Sequence, residues 1–104
     1  MANVGKATAT QIADWKSKNG SVYEYESIVD GDTHFTYCKE PTIDDIDYSH
    51  TVGEGKPIAM SKALYESVYL GGSDTAKSND RVKRGVMAKL QSLCKSIEAI
   101  EKKL

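Results

Sequence analysis

The sequence predicts an α+β domain, a β-hairpin (a small antiparallel sheet) packed with about four helices and closed by a long C-terminal helix. Three observations carry that expectation. Two runs rich in aromatic and β-branched residues, 22–28 and 33–38, flank an Asp30-Gly31 pair, which is the pattern of a hairpin. Capping residues followed by helical apolar spacing recur on either side of it. The stretch from Pro57 to Asp74 opens on a proline and reaches Gly71-Gly72, punctuation suited to a helix start and stop.

At 104 residues the chain matches one domain of common size. Residues 1–7 are expected to form a flexible N-terminal arm and residues 8–104 a single α+β domain. Thr8 caps a first helix and Gln11 closes a capping box. Ile12 and Trp15 then share one face, and Asn19-Gly20 ends the helix. In the hairpin, a three-residue Val29-Asp30-Gly31 loop would pair Tyr25 with Phe35 and Tyr23 with Tyr37. That register gathers the aromatics on one face, so it is the register expected.

Pro41 ends the second strand, and Thr42 caps a short helix with Asp44, Asp45 and Asp47 near its N-terminal end. Residues 52–56 read as a flexible joint. A third helix runs from Pro57 to Leu70, with Met60, Leu64 and Val68 on one face and Tyr65 and Tyr69 beside it. A polar loop follows over 71–79. Ser78, Asn79 or Asp80 then caps a last helix whose apolar residues Val86, Leu90, Leu93, Ile97, Ile100 and Leu104 alternate steps of four and three. It is expected to run to Leu104 and offers a route to homo-oligomers.

The chemistry-bearing residues point away from catalysis. Cys38 and Cys94 are far apart and form no C-x-x-C, so they read as reduced thiols rather than zinc ligands or a disulfide framework. His34 and His50 are the only histidines. Asp44 and Asp45 point in different directions on a helix, and no second histidine lies one turn from His50. Gly71-Gly72-Ser73-Asp74 lacks both the G-x-S-x-G elbow and the Gly-Lys-Ser/Thr of a phosphate loop. No cofactor, metal or enzymatic activity is therefore expected.

Fourteen basic against 15 acidic residues leave a net charge of −1, which gives no general attraction to nucleic acid or an anionic membrane. Lys77, Arg81, Lys83 and Arg84 make a local basic face, interrupted by Asp80. No run of about 18 apolar residues occurs, and no apolar signal segment opens the chain, so a cytoplasmic setting is expected. The remaining candidates for binding are aromatic: the Tyr23, Tyr25, Phe35 and Tyr37 face, and the edge formed by Tyr65, Tyr69, Leu70, Gly71 and Gly72. A small hairpin also leaves at least one sheet edge open to a partner.

The order of segments resembles a known group. Ile-x-x-Trp-Lys at 12–16 is followed by Gly-x-Val-Tyr-Glu at 20–24 and Tyr-x-Lys-x-Pro-Thr at 37–42. A Lys-Pro helix start at 56–57 then runs into Leu-Gly-Gly-x-Asp at 70–74, before a charged terminal helix. This pattern is similar to small bacteriophage morphogenesis proteins, among them tail assembly chaperones and uncharacterised structural proteins of phages of gut bacteria. Tyr69 stands where that group commonly has tryptophan, and Ser73, Thr75 and Lys77 partly replace its acidic residues. The resemblance implies a non-enzymatic protein–protein interaction module whose partners are other phage structural or assembly proteins. It implies host cytoplasm during assembly, or the virion, as the location. An auxiliary capsid or tail structural protein is the alternative it carries, and a nucleic-acid-binding protein is a distant third.

Overall fold

In the computed structural model, which describes residues 1–104, helices begin where side chains can satisfy the first free N–H groups. Thr8 Oγ1 accepts the Gln11 N–H at 3.1 Å and Gln11 Oε1 accepts the Thr8 N–H at 2.9 Å, opening α1 (Ala9–Asn19). Thr42 and Asp45 exchange the same pair of bonds to open α2 (Ile43–Gly53). Pro57 occupies the first turn of α3 (Pro57–Val68). Asn79 Oδ1 accepts the N–H groups of Arg81 and Val82 and opens α5 (Asp80–Leu93), the long C-terminal helix.

The strands differ from expectation in register and number. β2 (Val22–Val29) and β3 (Asp32–Lys39) pair antiparallel with Val29 opposite Asp32, so the loop holds two residues, not three. Asp30 and Gly31 both have positive φ, 50° and 83°, the requirement of a type I′ turn whose twist suits a hairpin. Tyr25 therefore faces Thr36, and Glu26 faces Phe35. The N-terminal residues are not a loose arm throughout: β1 (Asn3–Val4) pairs in parallel with β3 at Thr33 and His34. β4 (Tyr69–Gly72) pairs antiparallel with β3 further along, at Thr36 to Cys38, with a bulge between Tyr37 and Cys38 that leaves Leu70 unpaired. In this mostly antiparallel sheet β3 is the centre, and β2 has no neighbour on its outer side.

The register follows from burial of β3 on both faces. His34 to Cys38 are all buried, so the aromatics need not share one side. On one face Phe35 and Tyr37 lie beneath the N-terminal segment and α1: the Trp15 ring sits 5.3 Å from that of Tyr37, and Lys6 Nζ lies 4.6 Å from the centre of the Phe35 ring. On the other face Cys38 joins the core of Leu64, Tyr65, Val68, Ala76, Val82, Val86 and Leu90, with Tyr25 and Val29 packed against it. The expected joint at 52–56 is a tight corner, in which Glu54 caps α2 in a left-handed conformation and Gly53 is buried against Met60.

The Gly71-Gly72 pair does not stop a helix. α3 ends at Val68, and both glycines sit in β4, where space is short. A Cβ at 71 would lie 3.1 Å from the Trp15 ring; one at 72, where φ is +134°, would run into the Phe35 carbonyl oxygen. The expected polar loop holds a further helix, α4 (Asp74–Ser78), capped by Ser73. The last helix stops at Leu93 instead of reaching Leu104, leaving Ile97, Ile100 and Leu104 fully exposed. Beyond Leu93 there is no core surface for the seam to cover, and so short an apolar extension cannot hold a helix in water alone.

Leu90→Ala should cost about 2–5 kcal/mol in urea unfolding, and Trp15→Ala should cost less, because Trp15 remains half-exposed. Deleting residues 95–104, all exposed, should move the thermal midpoint by less than about 3 °C. A larger shift would show that this segment packs on the domain.

Candidate functional site

The residues expected to form one docking edge are dispersed by the fold. Tyr65 is 1% exposed and belongs to the core, and its hydroxyl has no hydrogen-bond partner. Burial raises its pKa, as it does that of Tyr69. Tyr69 is half-buried with its ring 5.6 Å from Tyr65, and Leu70, Gly71 and Gly72 are half-buried in β4. The hairpin aromatics split as well, since Phe35 and Tyr37 are buried on one face and Tyr23 and Tyr25 half-buried on the other. Neither group is a continuous exposed aromatic patch. These side chains lie on both faces of a twice-covered sheet, where burial absorbs them.

The basic face is dispersed too. Lys77 Nζ lies 4.7 Å from the Tyr69 ring and Lys83 Nζ 5.5 Å from the Tyr65 ring, cation–π positions that close the rim of the core. Arg81 instead lines a cleft beside the hairpin, and Arg84 a groove between α3 and α5 with Ile58, Lys62 and Met87.

Polar side chains inside the fold are consumed by structure. Asp45 Oδ2 accepts from Lys39 Nζ at 2.8 Å and from both Thr42 groups, while Asp45 Oδ1 accepts from the Ser67 hydroxyl at 2.5 Å. One carboxylate thus ties β3, α2 and α3 together. Burial pushes its pKa up, but the bonds from Lys39, Ser67 and Thr42 outweigh that and hold it well below the usual carboxylate range. Asp44, Asp47 and His50 are exposed and take no part in these bonds. No group of three or more His, Cys, Asp or Glu side chains is placed to hold a metal ion.

Residue spacing gives no sign of one buried contact, between a serine and a histidine 39 positions apart: His34 Nδ1 and Ser73 Oγ lie 2.7 Å from each other, and Ser73 Oγ also accepts the Ala76 N–H. With Ser73 only 3% exposed, this pair caps α4 and fixes it to β3; substrate has no access to it. The Cys38 thiol is fully buried and pushed up to about 12 by that burial, which removes thiolate reactivity near neutrality.

What the fold does leave open is the outer edge of β2. Phe35 C=O accepts from Ser73 N–H, and Thr33 N–H donates to Ala2 C=O, both at 2.8 Å. The polar groups of these β3 residues thus point away from β2. Their partners Glu26 and Ile28 occupy non-hydrogen-bonded positions of the hairpin, so in an antiparallel ladder their own N–H and C=O groups point outward. Glu24, two residues earlier, does the same. This edge runs beside a cleft. One part, about 350 Å³, lies between Ser27–Asp30 and Asn79, Arg81, Val82 and Gly85; a second, about 470 Å³, continues between Glu24–Ser27 and Gly85, Val86 and Lys89. The only sequence signal for it is the general one that a small sheet has an edge.

No family model and no curated protein matches the chain. It is similar in structure to an uncharacterised protein from Bacillus stearothermophilus, with a TM-score of 0.57 and 20% identity over 88% of this chain and 99% of that one. At that identity the likeness concerns the α+β fold alone. No helix is long and apolar enough to cross a membrane.

The Asp45 network gives a pH dependence with a definite sign. Its folded pKa is depressed, so its stabilisation is complete above the unfolded carboxylate value near about 4 and is lost as pH falls through the folded value. Asp45→Asn should lower stability at neutral pH by about 1–3 kcal/mol and flatten the acid limb of a denaturation-versus-pH curve. An unchanged acid limb would mean the network contributes nothing.

Proposed function

We propose that this chain is a non-enzymatic protein–protein interaction module of bacteriophage assembly, of the tail-assembly-chaperone type. The observation that carries the interaction role is the eight-residue edge of β2, left unpaired beside an open cleft. An exposed edge of that length offers main-chain hydrogen bonds to an incoming segment, and natural proteins otherwise cover or shorten such edges. The phage setting rests on the sequence resemblance, from the Ile12–Lys16 segment to the Leu70–Asp74 segment. On this reading the module shields an extended, aggregation-prone part of a tail or capsid protein until that part is assembled. It works in the host cytoplasm.

Infected cells and purified virions separate this role from that of an auxiliary structural protein. Affinity capture of the tagged chain from infected cells should recover a tail or capsid protein, and mass spectrometry of purified particles should find the chain absent or far below stoichiometric. Stoichiometric presence in the particle would instead make it a virion component. Recovery of nucleic acid alone, lost as salt is raised, would make it a nucleic-acid binder.

A further inference from the structure

We infer that the β2 edge takes one extended segment of another protein as an added strand, and that this segment carries basic side chains at alternate positions. The inference rests on the interaction role proposed above and specifies its chemistry. The outward N–H and C=O groups belong to Glu24, Glu26 and Ile28, so an added strand would bond to those residues. Their side chains share one face, on which every second residue of the new strand would lie directly opposite.

Of these, the Glu26 carboxylate is in no ion pair, and that of Glu24 is shared between Lys6 and Tyr37. Lysine or arginine fits opposite them. The intervening side chains of the strand point to the other face, toward α5. There Val82 and Val86 supply the apolar part of the floor between Arg81 and Lys89, cations that disfavour basic side chains on this second face, and at Gly85 an added Cβ would meet nothing within 4 Å. That gap has room for an aliphatic side chain.

The same charges argue against a second copy of this chain. Two β2 edges paired antiparallel about Tyr25 would set Glu24 against Glu26 of the other copy, twice, and like charges directly opposite destabilise a sheet.

The test uses the full, isotope-labelled chain and a synthetic peptide of about ten residues that alternates lysine with valine, followed by nuclear magnetic resonance. Saturable shifts should centre on Glu24 to Ile28 and on Gly85 to Lys89, and the Glu24, Glu26 and Ile28 amides should gain protection from exchange. A peptide alternating glutamate with valine should bind at least about tenfold more weakly. Glu26→Pro removes an outward donor without touching the β2–β3 ladder, and should abolish binding. Should that variant not fold, the peptide carries the same test: N-methylation at the residues whose N–H faces β2 should abolish binding, and methylation at the intervening residues should spare it.

Shifts confined to other surfaces, no saturable binding, or indifference to N-methylation would overturn the proposal. So would protection of the same amides without peptide as concentration rises, which would identify a second copy as the occupant. Peptide addition at β2 with no phage protein recovered from cells would leave this site standing and remove the phage assignment.

Discussion

His34 to Cys38 are buried on both faces of β3, so each side of one strand must be covered by a different set of side chains. That double burial is the constraint from which the rest of the structure follows. One face needs a lid, which Trp15, Lys6 and the N-terminal segment supply, with the Ala7 N–H donating to the Tyr37 hydroxyl and that hydroxyl donating to Glu24. The other face is the floor of the core beneath α3 and α5. On the side away from β2, β4 must come close enough to pair, which only glycine permits where the Phe35 carbonyl meets residue 72.

The same geometry leaves β2 as an edge. No strand pairs with its outward groups, yet the strand is not a plain sticky edge. Glu24 and Glu26 place carboxylates along it, and such charges discourage pairing between copies of one chain. An edge that repels its own kind while keeping eight residues available suits selective capture of a different, oppositely charged strand. The exposed Ile97, Ile100 and Leu104 lie away from this surface in sequence and make no buried contact.

Features set by neighbours in sequence are legible from the residues alone. The Thr8–Gln11 box, the Thr42 cap and the capping place shared by Ser78, Asn79 and Asp80 depend on bonds spanning three residues or fewer, and Pro57 starts a helix through its own fixed φ. The α+β class is legible for the same reason. Features set by distant partners are not. Spacing alone makes the hairpin register a question of gathering Tyr23, Tyr25, Phe35 and Tyr37, but α1 and α5 arrive from opposite sides and make segregation the better solution. Gly71 and Gly72 carry a strong helix-stop signal, which close packing on Trp15 and Phe35 overrides. Tyr65 reads as a presented aromatic because its spacing cannot show that it is buried in a core shared with α5. Of the candidate site, the residues say only that some sheet edge is open.

β3 is thus the doubly covered middle strand, and β2 a free edge in two-residue-turn register. Native-state hydrogen exchange of the unliganded chain, resolved by residue along β2, tests it most directly. The expected pattern is alternation: slow exchange at Tyr23, Tyr25 and Ser27, whose N–H groups face β3, and fast exchange at Glu24, Glu26 and Ile28, whose N–H groups point away from it. Uniform protection along the strand, or the opposite alternation, would contradict both the register and the open edge.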